Sequence, residues 1–262
     1  ETSSTSGGLD SLIQPTGPLK KSHERAARAF GAQFTYFATN GTSTSNKIVL
    51  QALVEPHDMV LVDRDCHKSH HYGLVLSGAY PVYLDSYPLP EFSMYGAVPL
   101  ATIREKLLEL KRAGRLHHVK MLLLTNCTFD GVVYNVQRVM EQVLAIKPDM
   151  IFLWDEAWFA FAGFSYIFKQ RTAMFSAARL HRKYHSEAYR EEYNAHIASL
   201  KNGETPIMPD PDKVRIRVYA TQSTHKTLTS MRQGSMIHIW DEDFQRKSED
   251  SFHEAYMAHT ST

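Results

Sequence analysis

Short hydrophobic runs alternate along the chain with longer segments in which apolar residues recur at helical spacing. Such runs between turn residues are typical of buried strands, and helical spacing places apolar side chains on one face of a helix. The pattern predicts strands at residues 34–38, 59–63, 80–84, 119–124, 150–154 and 214–219. It predicts helices at residues 22–30 (with Ser22 as N-cap), 44–54, 67–77, 100–113, 136–146 and 186–200. This alternation predicts an α/β fold with a mostly parallel sheet flanked by helices.

Two segments depart from this alternation. Residues 1–20 are rich in Ser, Thr, Gly and Pro, which is typical of an extended lead-in. Residues 168–211 are rich in Arg, His, Lys, Glu and Tyr. We interpret this second segment as a charged, solvated helical insertion, and the alternative is a surface that binds a partner.

Polar motifs follow the predicted strands. They lie at residues 41–43, 65–69, 126–130, 155–158 and 223–226. Open α/β sheets bind ligands outside the carboxyl ends of their parallel strands. Because all five motifs belong to that edge of the sheet, we expect them to form one site.

Lys226 closes the motif Ser223-Thr224-His225-Lys226 after the β-rich run. A lysine at a strand end is poorly placed for a solvated surface charge and well placed to form a Schiff base with a carbonyl cofactor. Ser223 can offer a hydroxyl to a phosphate, and His225 can steer protons beside the amine. An ordinary structural lysine is the alternative.

Asp155 ends a fully apolar run and therefore needs a partner to stay ionised. A pyridinium N–H would be such a partner, and an Asp that caps the next segment is the alternative. His67 follows another buried strand and can stack on an aromatic cofactor, although a structural histidine is the simpler reading. Neighbouring Lys68 is expected to face solvent. Glu156 is expected to have a structural role.

A glycine turn at residues 40–46 stands between a strand and a helix. Its backbone N–H groups and hydroxyls at a helix N-terminus suit a phosphate, and an ordinary capping turn is the alternative. The turn is not a Walker P-loop, because no Gly-Lys-Ser/Thr closes it.

Composition excludes several classes of protein. With 43% hydrophobic and 22% charged residues and a net charge of +1, the chain gives no electrostatic reason to expect nucleic acid or an anionic membrane. Its 14 histidines are scattered, so no metal site is predicted. Cys66 and Cys127 make no disulfide framework, and no signal peptide or membrane-length apolar run is visible, which favours the cytoplasm. The chain starts at Glu1 rather than Met, so we expect it to be a piece of a longer polypeptide.

A phosphate turn, a stacking histidine, a strand-end Asp and a strand-end Lys occur here in the chain order found in pyridoxal-phosphate enzymes of the aspartate-aminotransferase fold (fold type I). The chain resembles the large domain of the prokaryotic ornithine/lysine/arginine decarboxylase family. The resemblance covers nearly the whole chain. It rests on P-T-G-P (15–18), N-G-T-S-T-S-N-K (40–47), D-R-D-C-H-K-S (63–69), T-N-C-T-F-D-G (125–131), D-E-A-W (155–158), Q-S-T-H-K (222–226) and residues 255–262.

The resemblance implies a role for each matching residue. Lys226 would carry pyridoxal 5'-phosphate as a Schiff base, with His225 beside the reacting centre and His67 stacked on the ring. Asp155 would pair with the ring nitrogen. The other implied cofactor contacts are Thr42, Ser43 and Ser223 at the phosphate, Ala157 and Trp158 along the pocket, and Ser261, which would reach the phosphate of a neighbouring subunit.

The resemblance also implies an activity, a domain arrangement and partners. Residues 1–262 would be the pyridoxal-phosphate-binding large domain, without the family's C-terminal domain and its substrate-side acidic residues. The protein would decarboxylate lysine, arginine or ornithine as a homodimer with a shared active site. Transamination, aldol cleavage and a catalytically silent scaffold are the alternatives. The preferred amino acid, and a role in acid stress or in polyamine synthesis, stay open.

Overall fold

A computed structural model describes residues 10–201 and 204–260, so Ser261 lies outside the described residues. The strands in the described part are β1 (Phe34–Ala38), β2 (Met59–Asp63), β3 (Tyr80–Leu84), β4 (Pro88–Leu89), β5 (Met94–Tyr95), β6 (Val119–Thr125), β7 (Ile151–Asp155), β8 (Arg217–Ser223) and β9 (Ser235–Asp241). The α-helices are α1 (Pro18–Phe30), α2 (Thr42–Leu53), α3 (Lys68–Ser77), α4 (Leu100–Arg112), α5 (Val136–Leu144), α6 (Ala173–Tyr184), α7 (Glu187–Ser199), α8 (Thr224–Thr227) and α9 (Glu249–His259).

Seven strands form one sheet in the order β1-β9-β8-β7-β6-β2-β3, and β4 pairs with β5 in a separate hairpin. Neighbours from β8 to β3 are parallel, while β9 runs antiparallel to both β1 and β8. The predicted mostly parallel sheet flanked by helices is therefore confirmed. The sequence analysis predicted neither the short β4, β5 and α8 nor the longer β9 and α9.

Side chains that alternate along the central strands divide the core into two layers. In β7, Phe152 and Trp154 pack with α4, α5 and α6 on one face of the sheet. Ile151 and Leu153 pack with α2 and α9 on the other face. Full burial of such a side chain contributes about 1.5–3 kcal/mol, so the strands that carry the site are firmly held.

Two predicted boundaries are wrong for local reasons. Helix α1 begins at Pro18, because proline suits the first helical position, and the hydroxyl of Ser22 donates to the Pro18 carbonyl inside the helix instead of capping it. Strand β8 ends at Ser223 rather than at residue 219, and the one-turn helix α8 follows it. Lys226 therefore lies on a helical turn, not at the end of the strand.

The charged segment 168–211 contains α6 and α7, which behave differently. Helix α6 buries Met174, Ala177 and Leu180 against the sheet, so the expectation of a solvated segment is wrong for this half. Helix α7 buries Tyr189 and leaves most of its other residues exposed or half-buried. Whether the segment is an insertion within the family stays a prediction.

None of the helices in the described part of the chain has the length and apolar character needed to cross a bilayer.

Candidate active site

A cleft of about 580 Å³ lies at the carboxyl ends of the parallel strands and is lined by residues that follow β1, β2, β6, β7 and β8. The predicted site residues on its wall are Thr42, Ser43, His67, Asp155, Ala157, Trp158, Ser223, His225 and Lys226. The fold thus brings together every candidate that it describes. Their individual roles stay predictions.

Asp155 ends β7 with its carboxylate buried among hydrogen-bond donors. Its Oδ2 accepts from Nε2 of His70 at 2.8 Å and from Nδ2 of Asn46 at 3.1 Å, and its Oδ1 accepts from the Ala157 N–H at 3.0 Å. Burial opposes ionisation, but the hydrogen bonds and the charge of His70 outweigh it, and the pKa of Asp155 lies below its ordinary value. An ionised carboxylate therefore faces the cleft at neutral pH.

His70 and Asn46 are functional candidates that sequence reasoning missed. His70 is fully buried in the first turn of α3, where α3 packs on α2. The hydroxyl of Thr221 donates to Oδ1 of Asn46 at 2.6 Å, which fixes the amide so that its nitrogen points to Asp155. No local pattern in the sequence marks His70, because its bond to Asp155 forms only once α3 packs on α2.

Hydroxyl groups gather where α2 begins. Gly41 adopts a φ of 75°, which lets the helix start at Thr42, two residues earlier than predicted. The Thr42 hydroxyl bonds to the Ser223 hydroxyl and lies 3.3 Å from that of Ser235, which bonds to Ser45 at 2.7 Å. The first N–H groups of a helix have no intrahelical partner and carry its positive end. The arrangement suits an anion such as a phosphate.

Lys226 is half-buried, and its Nζ lies 4.5 Å from the ring centre of Trp158. Burial lowers the pKa of Lys226, and the nearby charge of Asp155 only partly offsets this effect. The amine is therefore neutral more often than an ordinary lysine at the same pH. The rings of Trp158 and Phe129 pack edge to face with their centres 5.9 Å apart, and both residues line the cleft.

The two cleft histidines are held in defined orientations. Nδ1 of His67 accepts from the Ser69 N–H at 3.2 Å, so the proton of the neutral ring belongs on Nε2. Burial lowers the pKa of His67, which keeps the ring neutral and suited to stacking. Nδ1 of His225 lies 3.2 Å from the Gly234 carbonyl, to which it can donate.

Glu156 lies behind the cleft and is completely buried. Its oxygens accept from the Ala173 N–H at 2.7 Å, from Nε2 of Gln222 at 2.9 Å and from Nδ2 of Asn126 at 3.3 Å. Burial raises the pKa of Glu156 to about 7 against these bonds. The expected structural role fits, because this carboxyl joins β7, β8 and α6 below the site.

Replacing Glu156 with Gln is expected to change how the free energy of unfolding depends on pH. Between its unfolded pKa, near 4.5, and its folded pKa, about 7, Glu156 binds more protons in the folded state. Its stabilisation is therefore complete below about pH 4.5 and is lost as pH rises to about 7, by roughly 3 kcal/mol. The free energy of unfolding should be measured with denaturant from pH 4.5 to 8. Over this range the value for Glu156→Gln should rise by this amount relative to the value for wild type.

Exposed Glu24 offers a matched control, and Glu24→Gln should keep the wild-type profile. If the free energy of unfolding depended on pH in the same way in wild type and in Glu156→Gln, the raised pKa of Glu156 would be contradicted.

Comparisons with known proteins identify the family of the chain. The profile of the family "Orn/Lys/Arg decarboxylase, major domain" matches residues 2–184 and 184–262. The chain is 35% identical to lysine decarboxylase LdcA of Pseudomonas aeruginosa and 33% identical to the biodegradative arginine decarboxylase of Escherichia coli, over 97% of its own length in each case. It spans 30% of the length of both relatives.

Solved structures confirm the predicted fold. Lysine decarboxylase A from Pseudomonas aeruginosa matches with a TM-score of 0.74 and 35% identity, over 97% of this chain and 30% of that one. Several aminotransferases share the fold with TM-scores of 0.52–0.55 at 11–12% identity. The resemblance seen in the sequence is therefore confirmed: the chain belongs to the Orn/Lys/Arg decarboxylase family, within its major domain.

Proposed function

We propose that this chain is the cofactor-binding domain of a pyridoxal-phosphate-dependent decarboxylase of a basic amino acid. One observation carries the proposal: the half-buried amine of Lys226, with its lowered pKa, shares a cleft with the buried, ionised carboxylate of Asp155. An amine activated by burial and a fixed negative charge are the two groups that such a cofactor needs from its protein.

The chemistry of the donor set fits pyridoxal phosphate. Asp155 would hold the protonated ring nitrogen, and the ring face of His67 would stack on the cofactor. Thr42, Ser43 and Ser223 would hold the phosphate at the start of α2. When bound, the cofactor supplies an electron sink for the pair of electrons left behind as the substrate carboxylate departs as CO₂.

The protein's own residues would then bind, orient and move protons. Lys226, partly neutral, would hold the cofactor and release it to the substrate amine. His225, beside it, would help to move the proton that replaces CO₂ at the substrate. Asp155 needs no proton itself, because its network keeps it ionised. Ala157 and Trp158 would exclude water along the wall of the cleft.

The substrate class follows from the relatives. Their names specify lysine and arginine, and the family description adds ornithine. All three substrates carry a cationic side chain, so the proposed products are CO₂ and cadaverine, agmatine or putrescine. The cytoplasm is the proposed location.

A homodimer with a shared active site is part of the proposal. Exposed apolar side chains continue from Trp158 along the next ten residues, and an exposed apolar patch of this kind marks an interaction surface. They are Trp158, Phe161, Phe164, Tyr166, Ile167 and Phe168, with Tyr166 95% and Ile167 74% exposed. Because Trp158 lines the cleft, a second subunit on this patch would lie next to the active site.

The proposed reaction is tested by product analysis of the intact gene product supplied with pyridoxal phosphate. Lysine, arginine and ornithine are offered separately, and CO₂ and amine are quantified. Equal amounts of CO₂ and the matching amine from at least one of them are the expected result. An oxo acid without CO₂ would establish transamination instead. No turnover and no bound cofactor would favour the silent scaffold.

A further inference from the structure

We propose that His181, His185 and Glu242 form a binding site for a divalent transition-metal ion, with zinc as the best fit, far from the cleft. Glu242 directly follows β9, which runs antiparallel to the parallel strands. The site therefore lies at the edge of the sheet opposite the carboxyl ends. Helix α6 packs on β8 and β9 and brings the two histidines to this edge.

The spacing of the three side chains is that of metal ligands. His181 lies in the last turn of α6 and His185 is the C-cap of that helix four residues later, which places both rings on the same side. Nε2 of each ring lies 3.6 Å from Oε1 of Glu242, and one ligand atom from each residue lies within 4.8 Å of the others. A separation of 3.6 Å is too long for a hydrogen bond. It is close to the roughly 3.4 Å between ligand atoms of a tetrahedral zinc bound at about 2.0–2.1 Å.

Backbone hydrogen bonds orient two of the three ligands. Nδ1 of His185 lies 2.8 Å from the carbonyl oxygen of His181, to which it donates, so the lone pair of the neutral ring is on Nε2. Oε2 of Glu242 accepts from the Ile216 N–H, which leaves Oε1 turned toward the imidazoles. Ligands of protein-bound metals are typically held by outer hydrogen bonds of this kind.

The carboxylate of Glu242 has no competing basic side chain beside it. Within residues 10–201 and 204–260, it lies within 4.0 Å of ring nitrogens of His181 and His185 but of no Lys or Arg nitrogen. The histidine side chains are 36% and 57% exposed, so an ion can enter from solvent and keep a water as its fourth ligand. The site is empty.

Zinc titration of the intact gene product tests the proposal after the protein has been stripped with a chelator. Isothermal calorimetry with ZnCl₂ should show one equivalent in wild type that is lost in His185→Ala and in Glu242→Gln. The matched control is His117→Ala/His118→Ala, which removes an exposed pair of neighbouring histidines whose rings lie 4.0 Å apart. This control variant should still bind one equivalent of zinc.

A second measurement guards against a folding defect in the variants. Zinc should raise the Tm of wild type and of the control, because a ligand that binds only the folded state stabilises it. It should leave the Tm of His185→Ala unchanged. Lys226→Ala should still bind zinc, so the result is independent of the proposed reaction. Wild type without zinc binding, or an equivalent that survives both His185→Ala and Glu242→Gln, would overturn the proposal.

Discussion

Replacing Lys226 with Ala is expected to abolish covalent attachment of pyridoxal phosphate and to lower decarboxylation by more than about 10³-fold. Loss of a positioned acid–base group alone costs about 10²- to 10⁴-fold, and here the same amine also holds the cofactor. The measurements are steady-state CO₂ release and borohydride reduction followed by mass spectrometry. In wild type the cofactor mass should appear on the peptide that contains residue 226, and in the variant it should be absent.

Lys68→Ala is the matched control for this experiment. Lys68 directly follows His67 in the sequence but is exposed and does not line the cleft, whereas half-buried Lys226 does. The control should keep both the labelled peptide and the activity. Cofactor mass on a peptide with Lys68, or full activity of Lys226→Ala, would reject the assignment of Lys226.

The central strands could be predicted from sequence because their burial is encoded locally. β2 and β7 are apolar along nearly their whole length, and β6 is nearly so, and each lies in the middle of the sheet. Strand β9 was not predicted because the run Ser235–Asp241 contains His238, a fully buried polar residue in a strand that is buried except at Trp240. Nε2 of His238 bonds to Gln222 at 2.9 Å and its Nδ1 bonds to Thr35 at 2.8 Å, and both partners come from neighbouring strands. A local pattern cannot reveal partners that only the sheet brings near.

The candidate active site shows the same difference between what a local sequence pattern reveals and what only the folded structure brings together. Residues that follow strands, such as Lys226 and Asp155, could be identified because topology places strand ends together. His70 could not, since its burial and its bond to Asp155 exist only after α3 packs on α2. The cluster of His181, His185 and Glu242 was missed for a similar reason, because its third member lies on another element. Sequence reasoning thus identified residues that line the cleft, but it missed the lining residues Arg232 and Gln233 and the residues that position Asp155.

Replacing Asp155 with Asn is expected to lower decarboxylation by about 10²- to 10³-fold while the cofactor stays attached to Lys226. That range is the usual cost of losing one fixed electrostatic contact to a reacting group. Asn keeps an oxygen that can accept from His70 but cannot hold the ring nitrogen in its protonated form. Attachment depends on Lys226 and on the hydroxyls at the start of α2, which the change leaves in place. CO₂ release and the borohydride-labelled peptide separate the two effects.

Asp63→Asn is the matched control, because Asp63 is a buried carboxyl at the end of β2 that does not line the cleft. It should keep activity within a few-fold of wild type. Asp155→Ala should behave differently from Asp155→Asn and lose about 1–3 kcal/mol of stability, because it leaves Nε2 of buried His70 without its hydrogen-bond partner. Thermal unfolding distinguishes these outcomes. If Asp155→Asn turned over at the wild-type rate with its fold intact, Asp155 would be a structural partner of His70 rather than the group that holds the ring nitrogen.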